Sequence, residues 1–134
     1  MFRKITFRPW GWWMDLYEEP GYKAKIITIN EGQQLSLQKH EHRDETWTIA
    51  RGKGEIFSEN FWQIAREGKV VKIKRGSEHR AKAIGDQLVI IEVQHGEKLS
   101  EDDIIRIEDD YGRVQENTEK VIFFLYIGKI TLLF

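Results

Sequence analysis

Three of the four histidines in this 134-residue chain lie in two short stretches. The first stretch runs from Gln38 to Glu45 and contains His40 and His42, and the second ends at His79. Side chains alternate along a strand, so Gln38, His40 and His42 share a face if the first stretch is extended. Imidazole nitrogens and a carboxylate oxygen that converge on one point suit a divalent transition metal. The pattern predicts a metal centre, although paired histidines on a strand can also be exposed or bound to nearby acids.

Short apolar or alternating runs, separated by glycine-containing turns, fill most of the chain and are typical of strands. A helical start signal occurs at Ser100, where a capping-type residue precedes acids and then Ile104-Ile105. We therefore expect an all-β antiparallel sandwich or barrel with at most one short helix near residues 100–106. Inward side chains of several strands can surround one cavity in such a fold, which would bring His40 and His42 together with His79.

Size and composition indicate one globular domain spanning residues 1–134, since 15.9 kDa is enough for a substantial core. The net charge is -1 with both signs mixed along the chain, so we expect no binding to nucleic acid. The lack of cysteine excludes disulfides and thiolate zinc sites and is consistent with a reducing cytoplasm. The apolar run Val121–Phe134 is shorter than the roughly 20 residues of a membrane-spanning helix. We expect a cytoplasmic protein with no membrane partner.

Several motifs occur in the order found in one family. They are Arg8-Pro9-Trp10-Gly11, Leu35-Ser36-Leu37-Gln38-x-His40-x-His42-Arg43, Glu45-x-Trp47, Gly76-x-x-His79-Arg80, Ile91-Glu92-Val93-Gln94 and a last motif from Glu101 to Arg113. On these residues the chain resembles the cupins and, within them, the type II phosphomannose isomerase domain, which usually forms the C-terminal part of bifunctional mannose-1-phosphate guanylyltransferases. The resemblance covers residues 8–113 and leaves 114–134 as an apolar extension. It implies a double-stranded β-helix, or jelly-roll barrel.

The resemblance also implies a ligand set. Counted back from Glu45, the cupin spacing places Gln38-x-His40, not His40-x-His42, in the metal register. Gln38, His40, Glu45 and His79 are then the ligands, with zinc as the first expectation, although iron, nickel or manganese would equally accept two imidazoles, a carboxylate and an amide oxygen. His42 stays open as a further ligand, a general base or a solvated neighbour.

The implied activity is the interconversion of mannose 6-phosphate and fructose 6-phosphate, in which a metal stabilises the enediolate between C1 and C2. A substrate phosphate needs cationic partners, and arginine suits it best. The candidates are Arg80, which we also expect to act in catalysis beside His79, and Arg106 and Arg113 in the acidic C-terminal motif. Arg106 can equally form a surface ion pair with a neighbouring acid.

Two departures from the family pattern favour a different function. Lys74 replaces the usual proline and Ala83 the usual asparagine, and either change could alter the wall of the cavity. No nucleotide-binding loop precedes Arg8. The alternative is a non-catalytic cupin that binds a sugar or sugar phosphate, or an accessory subunit to a separate sugar nucleotidyltransferase. A metal-dependent oxygenase is a third interpretation.

Two apolar stretches predict self-association. Val121–Phe134 and the aromatic cluster Trp10–Trp13 present more apolar surface than a small monomer usually leaves open. Large aromatic side chains usually supply buried area, so the Trp10–Trp13 cluster is expected to be a core plug or a subunit contact. We expect one or both stretches to lie in a homodimer interface.

Overall fold

The structure, a computed structural model, describes residues 3–113, which form eleven strands and no helix. The strands are β1 (Ile5–Arg8), β2 (Gly11–Glu19), β3 (Tyr22–Ile29), β4 (Leu37–Lys39), β5 (Asp44–Arg51), β6 (Lys53–Ser58), β7 (Phe61–Arg66), β8 (Val70–Ile73), β9 (His79–Ala83), β10 (Leu88–His95) and β11 (Ile105–Glu108). No helix within the described range is long and apolar enough to cross a membrane. The predicted tail segment Val121–Phe134 lies outside the described residues.

The strands form two antiparallel sheets that face each other. The first sheet has the order β1-β2-β3-β10-β5-β8 and the second the order β11-β4-β9-β6-β7. From β7 onward, successive strands alternate between the two sheets, so residues far apart in sequence become neighbours. This confirms the all-β prediction. The segment that begins at Ser100 is a turn closed by a hydrogen bond from Asp103 N–H to the Ser100 carbonyl (3.1 Å), and β11 starts two residues later.

The inner face of the first sheet has an apolar half and a polar half. Residues that face each other across neighbouring strands share a side of the sheet, so each register row forms one band. One inner row contains Ile27, Ile90 and Ile49, whereas the next two rows contain Lys25, Glu92 and Trp47, and then Lys23, Gln94 and Glu45. The apolar half packs against the second sheet around Ile56 and Ala81 to form the hydrophobic core. The polar half is left facing a cavity.

The Trp10–Trp13 cluster does not form the single surface patch that the sequence suggested. Trp10 is buried in the core, and Trp13 packs against it on the inner face. Trp12 points to the outer side of the first sheet, as strand alternation requires. The predicted interface role of Trp10 and Trp13 is therefore corrected, because both side chains are directed inward.

Candidate metal centre

Three side chains from three separate segments meet at the closed end of the cavity. His40 follows β4, Glu45 lies near the start of β5, and His79 opens β9. Glu45 Oε2 lies 3.2 Å from His40 Nε2, and Glu45 Oε1 lies 3.7 Å from His79 Nε2. All three residues are buried, and their potential donor atoms lie within 4.8 Å of one another. Two imidazoles and a carboxylate at this spacing can hold a divalent metal ion.

Backbone carbonyls orient both imidazole rings. His40 Nδ1–H donates to the Asp103 carbonyl oxygen (2.5 Å), and His79 Nδ1–H donates to the Ser77 carbonyl oxygen (2.9 Å). Because a carbonyl only accepts, the proton of each neutral ring belongs on Nδ1 and the lone pair on Nε2 faces Glu45. A second hydrogen bond of this kind is the usual support for a metal-binding histidine.

The environment keeps both rings neutral. Burial, together with the nearby Arg43 and His79, lowers the pKa of His40 to about 4. Burial likewise lowers the pKa of His79 to about 4. Both imidazoles are therefore unprotonated near pH 7, which is the form that binds metals. The donor set, its ring orientation and its protonation state all fit a bound divalent ion.

Gln38 joins these three residues in the cavity wall, as the sequence predicted. It lies directly opposite His79 in the pairing of β4 with β9. Its amide nitrogen donates to the Ser36 hydroxyl (2.9 Å) and more weakly to the Ser36 carbonyl oxygen (3.3 Å). Since the nitrogen is engaged on that side, the amide oxygen remains as the atom that can contact a metal. The four expected ligands thus lie around one cavity.

His42 does not lie in the cavity, contrary to the expectation of a catalytic role. The extended stretch ends at Lys39, so the alternation that would align His42 with His40 stops before it. His42 is exposed in the connection to β5, and its backbone N–H is bound by the Asp103 carboxylate (2.9 Å). The geometry gives no support to His42 as a ligand or a base.

Arg80 is also placed outside the cavity, so its expected catalytic and phosphate-binding roles need correction. It follows His79 within β9, and adjacent residues of a strand point to opposite faces. Its Nε donates to the Leu35 carbonyl oxygen (3.1 Å), and its Nη1 approaches Glu108 (3.4 Å). These contacts tie the second sheet together on its outer side.

Arg106 and Arg113 line the cavity together with Arg8, which the sequence analysis had not singled out. The cavity has about 680 Å³ of empty space, part of it open to solvent. Arg113 forms a two-pronged ion pair with Asp109 (2.7 and 3.0 Å). Arg106 Nε is buried without a hydrogen-bond partner among residues 3–113, and burial together with Arg113 lowers the pKa of Arg106. Three guanidiniums with one paired acid form a site suited to an anion.

Arg43 is a further site residue that sequence reasoning missed. Its Nε donates to Glu45 Oε2 (2.8 Å), and its Nη2 lies 3.3 Å from His40 Nε2. Its Nη1 donates to the Ser100 carbonyl oxygen (3.2 Å). This buried cation balances the charge of Glu45 and links the histidine loop to the C-terminal segment. The sequence places Arg43 two positions before Glu45, which indicates that the two side chains could lie on the same face of a strand. Strand alternation alone could not establish this, because β5 starts only at Asp44.

A second carboxylate, Glu92, lies beside Glu45. The Trp47 indole N–H is shared between Glu45 Oε1 and Glu92 Oε1 (3.0 Å to each), and Gln94 donates to Glu92 Oε2 (2.7 Å). Burial raises the pKa of Glu92 to about 7, and the neighbouring Glu45 adds to the shift. The sequence feature that could have identified Glu92 as a site residue is its position with Gln94 on the inward side of β10, at the end of an otherwise apolar strand.

Lys25 and Glu101 form an ion pair at the wall of the cavity. Lys25 Nζ lies 2.5 Å from Glu101 Oε2 and 4.0 Å from the centre of the Trp13 ring. Lys25 is buried, whereas the Glu101 side chain is 45% exposed. Glu101 is therefore the cavity carboxylate that a bound molecule can reach.

The two departures from the family pattern lie away from the cavity wall. Lys74 is exposed after β8. Ala83 is fully buried in the hydrophobic core, where it pairs with Gly54 within the second sheet. Neither residue is among the described residues that line the cavity.

The two sheets form a fold of the cupin type. Solved structures with the same fold include the capsular polysaccharide assembling protein CapF from Staphylococcus aureus, with a TM-score of 0.71, 18% identity, and coverage of 80% of this chain and 34% of that one. The cupin-2 domain protein Rru_A2000 from Rhodospirillum rubrum has a TM-score of 0.63, 16% identity, and coverage of 75% and 78%. The sequence profile described as "Mannose-6-phosphate isomerase C-terminal" matches residues 1–109, and the chain belongs to this family.

Characterised relatives are much longer proteins. The xanthan biosynthesis protein XanB of Xanthomonas campestris pv. campestris (strain B100) is 40% identical over 112 residues, which are 83% of this chain and 24% of XanB. The alginate biosynthesis protein AlgA of Pseudomonas aeruginosa is 38% identical over 118 residues (87% and 24%). The mannose-1-phosphate guanylyltransferase ManC of Salmonella typhimurium is 36% identical over 115 residues (85% and 24%). The chain spans about a quarter of the length of these relatives.

Proposed function

We propose that the protein is a metal-dependent sugar-phosphate isomerase that interconverts mannose 6-phosphate and fructose 6-phosphate. The observation that carries the proposal is a cavity with the neutral imidazoles of His40 and His79 and the carboxylate of Glu45 at its closed end, and with three guanidiniums in its wall. Membership in the mannose-6-phosphate isomerase C-terminal family supports the choice of substrate. Zinc is the metal we propose, held by these three residues and Gln38.

Each end of the cavity suits one end of the substrate. Arg8, Arg106 and Arg113 provide the positive charge that a phosphate monoester requires, and the unpartnered Nε of Arg106 is a free donor for it. The C1 and C2 oxygens would then lie towards the donor set. A bound divalent ion supplies Lewis-acid stabilisation of the charge that develops on those oxygens. The remaining requirement is a group that moves a proton between the two carbons.

We assign the proton transfer to Glu101. It is partly exposed to the cavity, whereas Glu92 is enclosed by Trp47 and Gln94 and does not offer a free oxygen. Lys25 lowers the pKa of Glu101, in opposition to its burial, and so keeps the carboxylate ionised as a base. The Lys25 ammonium, which lies over the ring of Trp13, also holds the carboxylate of Glu101 in position.

A coupled assay tests the proposal. Metal-replete protein receives mannose 6-phosphate, fructose 6-phosphate is detected, and bound metal is measured on the same sample by elemental analysis. We expect turnover by the wild type and, in His79→Ala, loss of both metal and turnover. We expect Glu101→Gln to retain the metal while kcat falls about 100-fold or more, a typical loss for a proton-transfer group. A metal-loaded wild type without turnover would contradict the isomerase function.

The second candidate is a sugar-phosphate-binding subunit that acts with a guanylyltransferase. It is favoured by the relatives named as mannose-1-phosphate guanylyltransferases, of which this chain matches only about a quarter. Isothermal titration calorimetry separates the two functions. Binding of mannose 6-phosphate to metal-loaded protein, with no fructose 6-phosphate formed, would favour the subunit.

A further inference from the structure

Arg43 contacts two of the atoms that the proposed metal centre offers to a divalent ion. Its Nη2 lies 3.3 Å from His40 Nε2, and its Nε donates to Glu45 Oε2 (2.8 Å). These two acceptor atoms are themselves only 3.2 Å apart. All three residues are buried, so water does not separate the guanidinium from either ligand. Arg43 therefore lies against the atoms that a metal ion would use.

The contact with His40 uses the lone pair that a metal ion requires. Because the ring donates its Nδ1–H to the Asp103 carbonyl oxygen, Nε2 is its acceptor nitrogen. Arginine has N–H donors and no acceptor, so Nη2–H of Arg43 donates to that lone pair. Nε2 has a single lone pair in the ring plane, and a zinc–nitrogen bond of about 2.0–2.1 Å needs the same one. Nε2 of His40 can serve Arg43 or a metal ion, but not both at once.

The other two ligands do not have this conflict. Each oxygen of a carboxylate has two lone pairs, so Glu45 can keep its hydrogen bond from Arg43 and still bind a metal ion. Within residues 3–113, Nε2 of His79 forms no hydrogen bond with an arginine or lysine, and its ionic contact is with Glu45 Oε1 at 3.7 Å. The competition is thus confined to one of the two imidazoles.

Arg43 also reduces the charge that attracts a divalent ion. A guanidinium stays protonated in proteins, so its positive charge is permanent. Glu45 is the acid of the three-residue set, and Arg43 balances its negative charge across 2.8 Å. A balanced pair attracts a further cation less than a free carboxylate does, and the guanidinium itself repels that cation. Both effects act in the same direction as the competition for His40.

We propose that Arg43 lowers the metal affinity of the centre by competing with the metal ion for Nε2 of His40. The anchors of Arg43 allow the exchange, because Nε is held by Glu45 and Nη1 donates to the Ser100 carbonyl oxygen (3.2 Å). Nη2 can therefore leave His40 while the side chain stays buried. The inference rests on the metal centre of the proposed function and not on the turnover of a sugar phosphate.

Zinc affinities, measured by competition with a chromophoric chelator, test the proposal on the wild type and two variants. Arg80→Gln is the matched control for Arg43→Gln, since it removes another buried guanidinium that lies outside the cavity. We expect the zinc dissociation constant to fall about 10-fold or more in Arg43→Gln and to change less than about two-fold in Arg80→Gln. The direction of the change is decisive. If Arg43 only supported the ligands, its removal would weaken zinc binding by about 10–100-fold.

The outcomes separate this inference from the proposed function. A weaker or unchanged zinc affinity in Arg43→Gln would overturn the competition and leave the metal centre standing, and an equal gain in Arg80→Gln would do the same. If neither the wild type nor Arg43→Gln bound zinc, the metal centre would be wrong and the competition with it. Turnover does not enter the result, because the affinities are measured without substrate.

A measurement on the wild type keeps the proposal testable if Arg43→Gln fails to fold. In protein with isotope-labelled arginine, nuclear magnetic resonance follows each guanidinium as zinc is added. We expect the Nη resonances of Arg43 to shift, because Nη2 loses its contact with His40, while Nε–H stays bonded to Glu45 and protected from exchange with water. Arg80, which contacts Leu35 and Glu108, should show no shift. Arg43 resonances that do not move when zinc binds would overturn the proposal.

Discussion

The two halves of the inner face of the first sheet are built by the same strands and serve opposite purposes. Along β10, Leu88 and Ile90 face the hydrophobic core, whereas Glu92, only two residues beyond Ile90, lines the cavity and accepts a hydrogen bond from Gln94. Apolar burial stabilises the first half, whereas the second half carries charges that lose hydration when buried. The comparison indicates that one end of the barrel supplies the free energy that allows the other end to hold a chemically active arrangement.

The polar half withstands burial because its groups are paired. Glu45 accepts hydrogen bonds from Arg43 and Trp47, and Glu92 accepts them from Trp47 and Gln94. Gln94 Oε1 is the exception, since it is buried without a partner among the described residues. Removing one member of such a buried network destabilises the protein by far more than the net value of one contact, because the partner charge stays buried without its counterpart. We therefore expect substitutions in the polar half to reduce both stability and metal binding, and substitutions in the apolar half to reduce stability alone.

The largest effect is expected from Glu45→Ala. The substitution leaves Arg43 buried without its carboxylate partner and removes the carboxylate of the proposed metal centre, so the free energy of unfolding should fall by about 3–5 kcal/mol and metal binding should be lost. Chemical denaturation and metal analysis measure the two effects. Glu55→Ala, on the outward side of β6, is the control and should cost less than about 1 kcal/mol. If Glu45→Ala retained the metal, the proposal that the polar half forms the metal centre would be wrong.

In the apolar half, Ile90→Ala should lower the free energy of unfolding and leave the metal site unchanged. Ile90 is fully buried, and loss of such a side chain costs about 2–5 kcal/mol. The expected result is a lower midpoint of urea unfolding with unchanged metal stoichiometry below the transition. A loss of metal at full folding would show that the two halves are coupled and not independent.

Individual residues show which parts of the fold and of the site could be predicted from the sequence. The fold and the grouping of His40, Glu45 and His79 followed from short strands and motif order, because alternation and sheet pairing fix which residues face inward. Arg80 was misplaced although the same alternation, applied from His79, directs it outward. His42 was misplaced because the end of β4 could not be located to one residue.

Residues brought in from distant segments were beyond the reach of local patterns. Arg8 ends β1 and Arg113 follows β11, and the two meet in the cavity wall only after the sheets close. The same is true of Lys25 and Glu101, which are 76 residues apart in the chain. Local alternation predicts the face on which a residue lies but not which remote side chain it meets.

A smaller effect is expected from pH on the metal-free protein. His40 and His79 have pKa values of about 4 when folded against an ordinary value of 6.5, so between these values the unfolded chain binds more protons and stability falls as pH is lowered. Glu92, with a pKa of about 7 when folded, opposes this between about pH 4.5 and 7, but it is one group against two. Urea unfolding at pH 5 and 7 in chelator measures the net slope. His79→Gln should reduce it, and an unchanged slope would contradict the protonation states assigned here.

The smallest effect is expected from His42→Gln. The residue is exposed and outside the cavity, so kcat/KM and the metal content should change by less than about two-fold. The coupled assay with mannose 6-phosphate provides the measurement, with His79→Ala as the positive control for loss. A large drop in kcat alone would contradict this prediction. It would mean that His42 acts in catalysis and that its loop moves towards the cavity during the reaction.

The contacts of Asp103 affect the order in which parts of the chain fold. Its carbonyl oxygen accepts from His40, and its two carboxylate oxygens accept from the backbone N–H groups of Glu41 and His42, more than 60 residues earlier in the chain. Contacts over such separations form late, because a long loop must close first. A growing chain on the ribosome can pair most of its strands before Asp103 has been synthesised. The loop that carries His40 is therefore fixed in place only after the segment containing Asp103 has been synthesised.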